Sequence, residues 1–483
     1  MSVNLRARRG RLAVVAAAAS VSLAVPALAL AGDANRDRSG EVRRAVEASM
    51  SADQARNVIL LIGDGMGDSE ITLARNYAVG AAGRLAMDRL PLTGAMTTWA
   101  VQKDAPNRPE YVTDSAAAGT AWATGRKSYN GAISVDPQDR DLPTILEQAQ
   151  RAGYRTGDVT TAELTDATPA VLAAHVAYRQ CQGPADMARC PADRKSAGGA
   201  GSIAEQMVQT KVDVLLGGGQ QRFAQTVTEG PYAGRTVVDQ ARDTGYRYVT
   251  DRAGLQAARP GEKVLGLFAS GNLPTPWQSF YATKTGTPPT RCTETNPERP
   301  ASMPLLGEMT QRAIELLSAG KAGDDSGNRA GAGDDRGKGF FLQVEAASID
   351  KRDHASDVCG QLGEHLEFDR AVQAALDFAA KDRKTLVVVT ADHAHTSQII
   401  PTYQKAPGNS ATLITADGAT MQVTYGTGVA GQSHTGAQVR IAALGPQAAN
   451  VVGLTDNTDL YWTLARALGV ARGERGGEDR RDG

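Results

Sequence analysis

Short, unbroken apolar runs that end on an acidic or glycine-rich segment recur along the chain. Asn57-Val58-Ile59-Leu60-Leu61-Ile62 stops at Gly63-Asp64-Gly65. Gly339 to Val344 stops at Glu345, and Thr385 to Thr390 runs into Ala391-Asp392-His393. Val212 to Leu216 meets three glycines, and Val439 to Leu444 meets Gly445-Pro446. Runs of this length without alternation suit strands buried on both faces. Helical apolar spacing lies between them, at 142–152, 308–317 and most strongly at 366–382. This alternation predicts an α/β fold with a large, mostly parallel central sheet flanked by helices. Ligands of such sheets bind beyond the carboxyl ends of the strands, where the polar residues just named would fall.

The ends of the chain read differently. Arg6, Arg8, Arg9 and Arg11 precede an uncharged, Ala-rich stretch from Leu12 to Ala31 that closes on Ala29-Leu30-Ala31. That is the pattern of an export signal over 1–31, with a retained membrane anchor as its rival. Cleavage would leave no stable membrane association and place the protein in the periplasm or outside the cell. A polar segment, 32–56, is expected to be a flexible lead-in to a folded domain over 57–471. The Gly/Asp-rich stretch 318–338 reads as a surface insert, and 472–483 as a charged tail. The chain has 483 residues with 52 Lys and Arg against 53 Asp and Glu, a net charge of −1. That balance argues against nucleic-acid recognition, which needs a basic surplus. The four cysteines, Cys181, Cys190, Cys292 and Cys359, read as disulfides in an exported protein, with three possible pairings.

Only six histidines occur. His393 and His395 stand in Asp392-His393-Ala394-His395, His354 follows Asp350 by one helical turn, and His434 sits in a Gly/Ser/Thr loop. Carboxylates and imidazoles gathered at strand ends are zinc ligands by type. His175 reads as a packed or surface residue of an Ala-rich helix, and His365 as an exposed helix residue. Asp114-Ser115 opens the run Ala116-Ala117-Ala118, so Asp114 suits an N-cap. Ser115 at that helix N-terminus suits a nucleophile whose alkoxide the dipole favours. Local spacing shows no histidine relay to Ser115, so a metal would have to lower its pKa.

Several strings then coincide in order: residues 57–67, Val112-Thr113-Asp114-Ser115-Ala116-Ala117, Thr161 to Pro169, Gln343-Val344-Glu345, Ser348-Ile349-Asp350-Lys351, Thr390 to His395, and His434-Thr435-Gly436. Together they resemble the alkaline phosphatases, over about Asn57 to Gly469. The resemblance implies two Zn²⁺ and one Mg²⁺. Asp350, His354 and His434 match ligands of the first zinc, with His395 behind them. Asp64, Asp392 and His393 match those of the second, beside the nucleophile Ser115. Asp64, Asp166, Thr168 and Glu345 match the magnesium site. Arg179 matches the phosphate-binding arginine, Asp114 and Asp353 residues that orient it and its network, and Lys351 a lysine reaching phosphate through water. The pairings implied are Cys181–Cys190 and Cys292–Cys359, and the assembly implied is a homodimer.

The charges agree with this. Five carboxylates converging on one site would repel one another and any phosphate, and three divalent cations with Arg179 would reverse the sign. The activity implied is broad hydrolysis of small phosphate monoesters through a phosphoserine on Ser115. Thr396, where a smaller residue is common, and the 318–338 insert depart from the family pattern. A sulfatase would need a C/S-x-P-x-R context that Ser115 lacks. A diesterase would lack the Arg179, Asp166 and Glu345 set, and a phosphate- or metal-binding protein would need no nucleophile.

Overall fold

The computed structural model describes Met1, 39–318 and 338–471. It divides into Met1–Gly40 and a body from Glu41 onward. The export signal, most of the 318–338 insert and the 472–483 tail lie outside the described residues. In chain order the strands are β1 (Asn57–Gly63), β2 (Leu92–Thr97), β3 (Ala100–Gln102), β4 (Ala105–Glu110), β5 (Arg155–Glu163), β6 (Val214–Gly218), β7 (Tyr246–Val249), β8 (Lys263–Leu267), β9 (Phe340–Ala346), β10 (Thr385–Ala391), β11 (Gln398–Ile400), β12 (Asn409–Ile414), β13 (Thr420–Tyr425), β14 (Val439–Leu444) and β15 (Gly453–Asp456).

Ten of them form one sheet in the order β15-β2-β14-β10-β1-β9-β5-β6-β8-β7. All its pairings are parallel except those of β14, which runs antiparallel to β10 and β2. The expected sheet is therefore present. Every residue of β1, β9 and β10 is buried, which explains their unbroken apolar composition. Because β1, β9 and β10 run parallel and in register, Gly63, Ala346 and Ala391 lie abreast, and Asp64, Ala347 and Asp392 follow them at one end.

The helices start where their caps dictate. The helix Ile145–Arg151 begins at a Thr144–Glu147 capping box, three residues after the apolar spacing begins. The strongly periodic 366–382 stretch is the second part of a longer helix, Val358–Lys381, capped by Asp357. Three expectations need correction. The lead-in contains a helix, Ser39–Ser49. His175 lies beyond the end of the helix Ala167–Ala173. His365 is 1% exposed, because it sits on a packed face of its helix, near Arg75 and Asp88, rather than on the outer face. The cysteines pair as Cys181–Cys190 and Cys292–Cys359.

Candidate active site

The turn after β1 starts the site. Gly65 takes φ +71°, and a Cβ there would approach Asp350 Cα to 3.0 Å, so only glycine lets the two segments meet. Its N–H donates to Asp392 Oδ1 at 2.9 Å, as does the N–H of His393. With Oδ1 saturated, Asp392 Oδ2 has no hydrogen-bond partner among the described residues and stands 3.1 Å from His393 Nε2. Asp64 Oδ1, likewise without a partner, stands 3.5 Å from the same nitrogen.

A second group lies alongside. Asp350 Oδ1 is 3.3 Å from His354 Nε2 and 3.1 Å from each of His395 Nε2 and His434 Nε2. His434 Nδ1 lies 3.0 Å from the Thr113 carbonyl, and His354 Nδ1 lies 2.5 Å from that of Gln432. A carbonyl only accepts, so both Nδ1 atoms carry the proton and both Nε2 atoms turn a lone pair inward. The His393 and His434 rings stack at 3.6 Å and join the two groups. His395, expected behind the ligands, is brought in among them.

Burial raises the Asp64 carboxyl far above its ordinary range, and the carboxylates of Asp350, Asp392 and Glu345 push it further. Burial also takes Glu345 up to about 8, although Lys351 and the Thr160 hydroxyl pull it down. Burial works against ionised Asp392 too, but His393 and the Gly65 N–H bring it down to about 2. Buried carboxylate oxygens without donors, beside inward-facing imidazole lone pairs, fit divalent cations.

Ser115 opens the helix Ser115–Thr124, and Asp114 caps it by accepting the Ala117 N–H at 3.0 Å. Ser115 Oγ lies 3.4 Å from His393 Nε2, a proximity between residues 278 apart that local spacing did not disclose. Arg179 spans two carboxylates, donating to Asp114 Oδ2 at 3.1 Å and Asp166 Oδ1 at 2.7 Å. Lys351 Nζ donates to Asp166 Oδ2 at 2.7 Å. Burial opposes the Asp166 charge, but these two cations hold its carboxyl well below the usual range. Asp166 is thus spent on Arg179 and Lys351. It does not close with Asp64 and Glu345 into a third compact acidic group among the described residues. Thr168 Oγ1 is buried beside Glu345, which accepts from Thr160. Asp353 stands apart from Arg179. Its carboxylate is buried and without a partner, and burial and the charges of Glu70 and Asp350 push it well up.

Sequence reading missed Thr160 and Gln432. Thr160 was legible in principle, since alternation along β5 and its pairing with Glu345 place them abreast. Gln432 acts through its backbone carbonyl, which no residue type announces.

The family profile described as alkaline phosphatase matches residues 55–428. The streptomycin-6-phosphate phosphatase of Streptomyces griseus is 57% identical over 86% of this chain and 91% of its own length. The alkaline phosphatase of Escherichia coli (strain K12) is 52% identical over 90% of both. Among solved structures, the cold-active alkaline phosphatase of the psychrophile Shewanella sp. is 26% identical, with a TM-score of 0.61 over 85% of this chain and 99% of that one.

Proposed function

The chain belongs to the alkaline phosphatase family and is a metal-dependent phosphomonoesterase, and on that premise we propose how its own residues divide the work. Asp350, His354 and His434, with His395 against them, hold one Zn²⁺. Asp64, Asp392 and His393 hold a second. Asp64, Thr168 and Glu345 would serve a Mg²⁺, and Asp166 would join them only by turning an oxygen away from Arg179 or Lys351. When bound, these ions supply positive charge that lowers the pKa of a coordinated hydroxyl and offsets the charge of the transferring phosphoryl group.

Arg179, held flat between Asp114 and Asp166, presents a fork to two phosphate oxygens. Ser115 Oγ, at a helix N-terminus, attacks phosphorus in line and expels the alcohol, forming phosphoserine. Water then attacks that phosphorus from the opposite side and regenerates the serine, so two inversions give net retention. Lys351 reaches the phosphate through water.

The observation that carries this reading is Ser115 Oγ beside His393 Nε2, with Arg179 in the same site. Broad alcohol specificity is supported by relatives of nearly equal identity that bear one general and one substrate-specific phosphatase name. Export agrees with the disulfides and the leader pattern. Among the described residues no helix is long and apolar enough to cross a membrane. A homodimer through the β15 edge suits the exposure of Val452 and Leu454 there, at 53% and 67%.

The test is p-nitrophenol release from its phosphate ester by the protein as isolated, after chelation, and after Zn²⁺ and Mg²⁺ are returned. Activity is expected to vanish and return. Ser115→Ala should lower kcat on the order of 10³-fold or more and abolish the phosphoenzyme trapped by acid quench. A Ser115→Ala variant that still accumulates phosphoenzyme would remove Ser115 from the nucleophile's role.

A further inference from the structure

The segment between β13 and β14 serves two of the three imidazoles that face Asp350, His354 and His434. It carries His434, and it holds His354 from behind. The Gln432 N–H donates to the His354 carbonyl at 3.0 Å, and the Gln432 carbonyl accepts from His354 Nδ1. That second bond fixes the tautomer that leaves His354 Nε2 with its lone pair, 3.3 Å from Asp350 Oδ1 and 3.2 Å from His434 Nε2.

The Gln432 backbone is itself held by the Gln432 side chain, which is buried. Its Oε1 accepts from Thr427 N at 2.9 Å and Gly428 N at 3.3 Å, and the Thr396 hydroxyl lies 3.4 Å away. Thr396 Oγ1 accepts Gly426 N at 3.3 Å. The Thr427 hydroxyl closes the turn on Ser433, donating to its carbonyl and accepting its N–H, both at 2.9 Å. Gly428 admits no side chain, since a Cβ would fall 2.0 Å from the Gly431 carbonyl. The turn 426–433 is therefore wound around a single amide oxygen, with Thr396 placed to brace it.

We propose that Gln432 is a positioning residue for the cation held by Asp350, His354 and His434: its side-chain oxygen fixes the turn whose carbonyl aims His354. This rests on the reading of that cluster as a cation site. The chemistry required of Gln432 is acceptor chemistry alone, because the bonds its own side chain makes to the turn and to Thr396 all end on Oε1. A glutamate can therefore replace it and a leucine, which offers no acceptor, cannot. Loss of a partner that orients a ligand typically weakens metal binding 10–100-fold.

The experiment compares wild type, Asp350→Asn, Gln432→Leu and Gln432→Glu. Each is dialysed against buffers of graded free Zn²⁺, bound zinc per chain is counted, and melting temperatures are recorded with and without zinc. Wild type is expected to show a zinc class that Asp350→Asn lacks. If Asp350→Asn binds zinc as wild type does, the cluster holds no cation, and the role of Gln432 falls with it. Given that class, Gln432→Leu should bind it about 10–100-fold more weakly, with a smaller zinc-induced rise in Tm, while Gln432→Glu keeps both. A merely structural role would lower the Tm of the metal-stripped Leu variant and leave its zinc affinity where wild type has it. That result overturns the proposal, as does equal loss of affinity in the Leu and Glu variants.

Discussion

Arg179 shows how much of a site one residue's surroundings decide. A lone guanidinium on a flexible stem would lose side-chain entropy on gripping phosphate, but here two carboxylates hold it flat beforehand. Arg179→Ala should lower kcat/KM by about 100-fold, the equivalent of about 3 kcal/mol for lost charge-assisted hydrogen bonds. Arg179→Lys should recover little of it, because an ammonium cannot span Asp114 and Asp166 while forking to phosphate. Steady-state kinetics on p-nitrophenyl phosphate decide this, and full rescue by lysine would mean that charge alone matters. Freed from Arg179, Asp166 would remain on Lys351, so part of the binding should survive.

At the scale of elements, the start of the helix Ile145–Arg151 is tied to the chain beyond Ala167–Ala173. Glu147 accepts the Thr144 N–H at 3.0 Å and faces His175 Nε2 at 3.1 Å, while His175 Nδ1 meets the Ser134 carbonyl at 2.9 Å. Burial disfavours charge on both partners, yet their mutual contact outweighs it. His175 therefore titrates above its ordinary 6.5, and Glu147 below its ordinary 4.5. The His175 contribution is present in full below pH 6.5 and is lost as pH rises through its raised value. The Glu147 contribution is present above pH 4.5 and is lost as pH falls through its lowered value. The tie is accordingly strongest between about pH 5 and 6.5. His175→Ala should cost about 1 kcal/mol there and less at pH 9, read from denaturant midpoints across that range. A gap that does not change with pH would show that His175 only packs.

Over the whole molecule, two covalent ties differ in reach. Cys292–Cys359 closes 67 residues and Cys181–Cys190 closes 9. On the chain-entropy account they stabilise by about 4 and about 3 kcal/mol, so the Cys292→Ser/Cys359→Ser double variant should melt below its counterpart. Calorimetry of the two double variants checks the order. The β15 edge makes the second prediction. Leu454→Glu places a charge on the face proposed for the partner copy and should shift the sedimentation coefficient from dimer to monomer. A variant that sediments with wild type moves the interface elsewhere.

The sheet and the donor groups gathered at its strand ends were legible because each rests on local patterning. β1, β9 and β10 announce burial by composition, and each is followed closely by a carboxylate: Asp64, Asp350 and Asp392, the last with His393. Capping chemistry at Asp114 likewise placed Ser115 on a helix N-terminus. Other features depended on contacts between distant segments. His365 was read as exposed because the outer and inner faces of a long amphipathic helix differ by a rotation that spacing leaves open, and packing buries it. His395 comes within 3.1 Å of Asp350 Oδ1, and the Asp353 carboxylate is left without a partner, through the way the short helix Ser348–His354 and the loop after β10 come together. The sequence by itself determined the strand cores, the caps and the chemical types of the donors, since these follow from propensity and periodicity. Only the tertiary structure decided which lone pairs face inward, because carbonyls such as those of Thr113 and Gln432 aim the imidazoles, and a carbonyl's position belongs to the path of the folded chain.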